Sequence, residues 1–309
     1  MRAFHYQYDH DNVYKIWVDL LKVDVSNIKT IEQIPFLPIE FFKTLNVVSN
    51  PITSKTIRFT SSSTTSQVPA SHYVNDIKLY EDSFSLGFER FYGKVSDYCI
   101  LALLPNYLQR KGSSLVYMCQ KLIKDSGHPL SGFFLDNIPE LLSIIRQLNE
   151  MGQKTLLIGV SYALMDLCDY GLKLNDNFIV METGGMKGTR KEMMKEELHA
   201  FLKEGLGTSK IHSEYGMTEL LSQAYSRGDG LFEAPPWMRF LIREVEDPLK
   251  IRKDQKTGGI NVIDLANINS CCFIATKDLG RLTPDNKLQL MGRYDNSDVR
   301  GCNLMLGEF

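Results

Sequence analysis

The chain has 309 residues, 43% of them hydrophobic and 23% charged, and 35 Lys and Arg against 37 Asp and Glu leave a formal charge of −2. This is the composition of an ordinary globular protein long enough for one big domain or two lobes, and it excludes the strong basic field by which a chain gathers nucleic acid. The longest clean apolar run, 98–104, is far short of a membrane span, the first residues carry no signal-peptide core, and the cysteines at 99, 119, 168, 271, 272 and 302 show no Cys-x-x-Cys spacing. The expectation is a reduced, cytoplasmic protein with no membrane span, no nucleic-acid partner and no structural zinc site.

Residues 10–23 place Val13, Ile16, Trp17, Leu20 and Leu21 at the spacing of one amphipathic helix. Pro35 and Pro38 interrupt any helix over 34–42, and Phe41 and Phe42 are expected in the core. After the strand-like 56–59 come seven consecutive hydroxyl residues, Thr60, Ser61, Ser62, Ser63, Thr64, Thr65 and Ser66. Hydroxyls and turn N–H groups can wrap phosphate oxygens. The plainer alternative is a flexible Ser/Thr linker, but the run lies between β-like residues and an expected helix over 76–91.

From residue 97 strands and helices alternate. Strands are expected at 98–104, 132–135, 154–160, 178–181 and 209–212. Helices are expected at 113–124, at 139–151 with Pro139 in its first turn and Gly152 at its end, from a Ser161 cap to Gly171, and at 190–204 with Met193, Met194, Leu198 and Phe201 on one side. Such alternation implies crossover units and a mainly parallel sheet, an α/β fold whose ligands sit at the carboxyl ends of the strands.

Ser213-Glu214-Tyr215-Gly216-Met217-Thr218-Glu219 follows the last of these strands and precedes an apolar stretch that could start a helix. Gly216 lets the backbone turn sharply beside a ligand. The Thr218 hydroxyl and Glu219 carboxylate would suit a nucleotide and its Mg²⁺. The plainer alternative is a strand-to-helix turn with Thr218 as the N-cap. Beyond Pro235-Pro236 the expected strands at 238–245, 259–265, 272–276 and 287–291 have no helices between them and read as a smaller antiparallel β section. The chain thus divides into an N-terminal lead-in (1–58), an α/β lobe (59–234), a β-rich section (235–291) and a hinge-like motif with a tail (292–309), all within one domain.

Four stretches line up in order: Thr60 to Thr65, Gly184-Gly185-Met186-Lys187-Gly188, Glu214 to Glu219, and Lys277-Asp278-Leu279-Gly280-Arg281 followed by Gly292-Arg293-Tyr294-Asp295. Together they resemble the adenylate-forming enzymes, the superfamily of acyl-CoA synthetases, phenylacetate-CoA ligases and peptide-synthetase adenylation domains. Glu214 to Gln223 and Val299 to Leu304 look most like the acyl-protein synthetases of the bacterial bioluminescence fatty-acid reductase system. The likeness runs from about Phe59 to the C-terminus.

The resemblance implies the large N-terminal-type domain of that superfamily and a ligase that uses ATP and Mg²⁺. A carboxylic acid, by this likeness a fatty acid, becomes acyl-AMP and its acyl group then passes to a thiol. Thr60, Ser61, Ser62, Ser63, Thr64 and Thr65 would hold the β- and γ-phosphates. Gly184 and Gly185 would form a turn at the nucleotide, and Tyr215, Gly216 and Met217 would flank it and the acyl carbonyl. Thr218 would contact the α-phosphate, Glu219 would ligate Mg²⁺, and Asp278 and Arg293 would hold the ribose.

Two departures qualify this. Ser63 and Ser66 occupy positions where the superfamily loop has glycine, which is expected to cost loop mobility and ATP affinity. Only about a dozen residues follow the hinge-like motif, too few for the C-terminal lid domain that supplies a lysine in larger members. Lys187, Arg293 and Arg300 are therefore the candidate cations for the α-phosphate. Cys302 matches the cysteine that carries the acyl group in the acyl-protein synthetases, and the implied partner is an acyl-CoA reductase-like or carrier protein. The rivals are a coenzyme A or carrier-protein ligase and a degenerate nucleotide-binding scaffold. His212 is expected to be a hydrogen-bonded scaffold residue, and Cys271 and Cys272 β-core residues.

Overall fold

The computed structural model describes residues 1–61, 68–104, 112–134, 137–184 and 193–293. The first elements are helices α1 (Arg2–His10) and α2 (Asn12–Leu20), the short strand β1 (Leu37–Pro38), α3 (Phe41–Thr44) and the hairpin strands β2 (Ile57–Thr60) and β3 (Ser71–Val74). The alternating part runs α4 (Ile77–Tyr92), β4 (Cys99–Leu103), α5 (Ser114–Ser126), β5 (Gly132–Phe133), α6 (Ile138–Met151), β6 (Thr155–Gly159), α7 (Ser161–Leu167), β7 (Phe178–Glu182), α8 (Lys195–Leu206) and β8 (Ile211–Tyr215). Strands then follow one another: β9 (Ala224–Ser226), β10 (Leu231–Phe232), β11 (Met238–Arg243), β12 (Gly258–Asp264), β13 (Phe273–Leu282) and β14 (Leu288–Arg293).

The first sheet has the order β5-β4-β6-β7-β8-β9. Strands β4 to β8 are mutually parallel and β9 returns antiparallel on the edge. β4 and β6 are buried along their whole length, as a sheet covered by crossover helices on both faces requires. The second sheet has the order β10-β14-β13-β12-β11, antiparallel throughout, with β1 added in parallel along β13. Each sheet has its own apolar core, and the N-terminal helices belong to the second. The expected α/β lobe with a mainly parallel sheet and a following antiparallel section is what forms. The second sheet also recruits the N-terminal lead-in through β1.

Several local expectations are corrected. The helix expected over 10–23 forms as α2, Asn12–Leu20, and a second helix not expected from the sequence, α1, precedes it. Asp11 is extended between them, and its carboxylate accepts the Val13 and Tyr14 amide N–H groups at 2.9 and 3.0 Å, capping α2. The core-facing residues of α2 are Tyr14 and Val18, while Ile16 and Leu20 are exposed. Buried Gln7 of α1 explains the shift: its amide donates to the carbonyls of Asn267 and Ser270 and accepts the Cys272 N–H, fixing how α1 lies on the second sheet. Ser161 begins α7 rather than capping it, because its hydroxyl donates to buried Glu182. Helix α8 starts at Lys195 and buries Leu198, His199, Leu202 and Leu206, leaving Met194 and Phe201 exposed. The strand expected at 272–276 continues to Leu282 and so carries Asp278 within it. Cys271 and Cys272 are fully buried as expected.

Leu157 lies in β6, paired on both sides and without solvent contact. Leu157→Ala is expected to cost about 2–5 kcal/mol, read as a lowered urea midpoint.

Candidate active site

A cleft of about 430 Å³ opens between the two sheets at the carboxyl ends of β7 and β8. That volume is within the range of small-molecule sites. Its walls come from segments far apart in sequence: Thr60 and Ser61 at the end of β2, Ser113 to Leu115 at the start of α5, Thr183 and Gly184 after β7, Glu214 to Glu219, Thr276 to Asp278 of β13, and Arg293 of β14.

Residues 216–223 form a loop joining two antiparallel strands, with Tyr215 opposite Ala224. The expected helix after Glu219 does not form. The amide N–H groups of Leu221 and Ser222 both donate to Asp264 Oδ2 at 2.9 Å. Asn267 accepts from Leu221 N–H and donates to the Glu219 carbonyl at 2.8 Å. His72 lies 2.8 Å from the Thr218 carbonyl through Nδ1 and 2.8 Å from the Ser270 hydroxyl through Nε2. A carbonyl only accepts, so Nδ1 carries the proton and Nε2 accepts from Ser270. Burial lowers the His72 pKa to about 4, which keeps the ring neutral. The loop's fold is thus imposed by side chains of the β3 hairpin and of the β12–β13 connection.

Thr218 and Glu219 face the cleft from this loop. Burial raises the Glu219 carboxyl to about 7, although the Arg293 and Lys43 charges pull it down. Tyr215 leaves the opposite face of β8 from Glu214, and its hydroxyl donates to Asp278 Oδ2 at 2.8 Å. Arg293 Nε lies 4.0 Å from Asp278 Oδ1, across the β13–β14 register. Lys277 reaches from the same strand to Glu40 at 2.9 Å.

Beneath Gly184 lies a second network. Glu182 is 2% exposed. Its carboxylate accepts from Lys195 Nζ at 2.7 Å and from the Gly184 N–H at 2.8 Å, with the Ser161 hydroxyl at 3.3 Å. His199 bridges Glu182 to Ser213. Burial alone would raise the Glu182 pKa; the Lys195 charge and the His199 and Ser213 hydrogen bonds outweigh it and hold the group below the usual carboxylate range. The turn that begins at Gly184 is therefore fixed from the strand side.

The structure brings Thr60, Ser61, Gly184, Tyr215, Gly216, Met217, Thr218, Glu219, Asp278 and Arg293 to one cleft. Ser62 to Thr65, Gly185, Lys187, Arg300 and Cys302 lie outside the described residues. His212 is a scaffold residue as expected, held 3.2 Å from the Tyr92 hydroxyl. The sequence reading missed the supporting side chains His72, Asp264, Asn267, Glu182 and Lys195, and gave no role to Gln223 or Lys43. Polar residues embedded in apolar strands, such as Glu182 in Phe178–Glu182 and Asp264 in Gly258–Asp264, were the available signal. Among the described residues no group of three metal-ligating side chains occurs, and no helix is long and apolar enough to cross a membrane.

This architecture defines the large-domain fold of the adenylate-forming ligases. The chain resembles 2-hydroxyisobutyryl-CoA ligase in its postadenylation state with 2-HIB-AMP at a TM-score of 0.69 and 12% identity, over 94% of this chain and 66% of that one. It resembles ATP-bound MatB from Rhodopseudomonas palustris at a TM-score of 0.55 and 17% identity, over 76% of this chain and 47% of that one. The aligned region thus spans about half of MatB. Within that fold, the sequence matches the family described as acyl-protein synthetase, LuxE, over residues 1–309, and the chain belongs to it. None of the curated proteins matches the sequence.

The raised Glu219 pKa has a consequence for stability. Between pH about 4.5 and about 7 the unfolded chain ionises this carboxyl while the folded protein holds it protonated, so stability is lost as pH rises through that window. Glu219→Gln is expected to be more stable than wild type at pH 8, by up to about 3 kcal/mol, and to lose that advantage towards pH 5. Urea titrations of both proteins without ligand check the sign.

Proposed function

We propose that the protein activates a carboxylic acid with ATP, forming acyl-AMP and pyrophosphate, and then transfers the acyl group to a thiol, that of its own Cys302. The observation that carries this reading is the convergence on one cleft of the hydroxyl residues Thr60 and Ser61, the Gly184 turn, the Tyr215 to Glu219 loop, and the Asp278–Arg293 pair. Family membership supports it.

The substrate carboxylate oxygen attacks the α-phosphorus, the bond to the bridging oxygen breaks, and pyrophosphate leaves. Such a displacement needs positioning and charge neutralisation more than a protein nucleophile. Thr60 and Ser61 would begin the cradle for the terminal phosphates. Thr218 would donate to the α-phosphate, and Asp278, already oriented by Tyr215, would accept from the ribose diol. A single carboxylate, Glu219, fits Mg²⁺, which takes one or two protein oxygens and completes its shell with phosphate and water. When bound, Mg²⁺ supplies charge neutralisation at the phosphates. Its presence would also re-ionise Glu219, whose carboxyl burial otherwise keeps partly protonated near neutral pH. Lys43 and Arg293, both lining the cleft, add positive charge beside that carboxyl. In the second step the Cys302 sulfur attacks the acyl carbonyl, its proton passes to solvent, and AMP leaves. A reductase-like or carrier protein would receive the acyl group from the thioester.

Glu219→Ala is expected to lower acid-dependent pyrophosphate release about a hundredfold or more, and Asp278→Ala to raise the KM for ATP about tenfold or more. Intact-protein mass spectrometry after incubation with Mg-ATP and acids is expected to show a hydroxylamine-labile acyl adduct on wild type and none on Cys302→Ala. An adduct surviving Cys302→Ala, or thioester forming only with added coenzyme A, would assign the acceptor elsewhere. Nucleotide binding with no acid-dependent pyrophosphate would favour a degenerate scaffold.

A further inference from the structure

A cleft that works on a triphosphate needs positive charge, and its described walls carry three cations: Lys43, Lys277 and Arg293. Two of them are engaged. Lys277 Nζ lies 2.9 Å from Glu40, and Arg293 Nε faces Asp278 at 4.0 Å. The Lys43 side chain is exposed and makes no ion pair or hydrogen bond with any described residue. It belongs to the N-terminal lead-in, outside the four motifs that carry the sequence resemblance.

The lead-in is nonetheless fixed to the cleft. Strand β1 runs parallel along β13, with Leu37 opposite Ile274 and Pro38 opposite Ala275. The Ile39 N–H donates to the Ala275 carbonyl at 3.0 Å, so the chain enters α3 close to Asp278. Glu40 adds the ion pair to Lys277 of the same strand. Phe42 is fully buried and meets His72 edge-on, with ring centroids 5.5 Å apart. His72 is the ring that holds the Thr218 carbonyl, and its strand β3 returns from the hydroxyl run. Helix α3 is thus held between the strand of Asp278 and the support of the Thr218–Glu219 loop. From that position Ile39 and Lys43 face the cleft. Burial raises the Glu219 carboxyl, and the Lys43 charge is among those that pull it back. The ammonium is therefore within electrostatic reach of the carboxylate assigned to Mg²⁺.

The adenylation step puts charge on this side of the cleft. As the carboxylate oxygen bonds to the α-phosphorus, the bond from phosphorus to the bridging oxygen breaks. Its electron pair stays on the departing pyrophosphate. A cation already in place, with no carboxylate to release first, stabilises that charge without reorganisation. Lys277 would have to leave Glu40 to do the same.

We propose, resting on the acid-activation reading above, that Lys43 is a catalytic residue of adenylation: its ammonium donates to the phosphate oxygens on the pyrophosphate side and neutralises the charge that develops there. No proton is transferred, and the ammonium stays charged throughout. Phe42 and Glu40 are positioning residues, because they hold α3 against His72 and β13.

The test measures two half-reactions on wild type, Lys43→Met and Lys43→Arg. The first is pyrophosphate release with Mg-ATP over a panel of straight-chain and aromatic acids. The second is thioester formation from supplied acyl-AMP. Lys43→Met is expected to lower kcat for acid-dependent pyrophosphate release about a hundredfold, with the KM for the acid and the rate from acyl-AMP each within about twofold of wild type. Lys43→Arg keeps the charge and is expected to stay within about tenfold of wild type. The urea midpoint of Lys43→Met should match wild type, because the side chain is exposed and unpaired among the described residues. A wild-type rate in Lys43→Met overturns the inference and leaves acid activation standing. So does a defect that raised Mg²⁺ fully restores, which would make Lys43 only a neighbour of the Glu219 metal site. A defect confined to the KM for the acid would assign Lys43 to the substrate carboxylate instead, and equal losses in both half-reactions would make its role structural; each overturns the inference. Absence of pyrophosphate from wild type with every acid rejects the activation reading and this inference with it.

Discussion

The loop carrying Thr218 and Glu219 has its shape because another part of the molecule holds it there. Left to local preference, the apolar Leu220-Leu221 after Thr218 could have entered a helix. Instead the segment is held by Asp264, fully buried at the end of β12, which accepts the Leu221 and Ser222 amide N–H groups. Burial raises the Asp264 pKa, and the hydrogen bonds from Ser222, Ala266 and Leu221 work against that shift. Unpaired, those buried amides would each cost about 1–3 kcal/mol, so the arrangement is satisfied as a unit or not at all. Asn267 and His72 extend it to the Glu219 and Thr218 carbonyls. The geometry of the cleft is therefore a property of the contact between its two sheets.

The same principle operates on the other side of the cleft. Glu182 fixes the start of the Gly184 turn from below, with Lys195 of α8 as its counter-charge and Phe232 of β10 under the lysine at 4.6 Å. A buried carboxylate paired in this way adds little net stability, but removal of either partner leaves a buried charge uncompensated. Its value is positional: it ties α7, β7, α8 and β8 to the edge where the cleft opens.

Much of this was legible in the sequence. The alternation from residue 97 gave the crossover sheet, because period and glycine stops are local signals; Gly127 and Gly152 do end α5 and α6 in the left-handed conformation. The residues that gather at the cleft could be named because they cluster in short ordered motifs. What was not legible depends on contacts between distant segments. The bend at Asp11 follows from Gln7 reaching residues some 260 positions away. The extended path of 218–223 follows from Asp264 and Asn267, and the true buried face of α8 from His199 turning inward to Glu182 and Ser213.

The account rests on the cleft performing adenylation, a half-reaction that does not require the acceptor thiol. The most direct measurement is exchange of labelled pyrophosphate into ATP by the wild-type protein with Mg²⁺, with and without the acid panel, in the absence of coenzyme A. The expected result is exchange that depends on the acid and persists in Cys302→Ala. Bound ATP with no acid-dependent exchange would contradict the account, leaving the cleft a nucleotide site without the chemistry assigned to it.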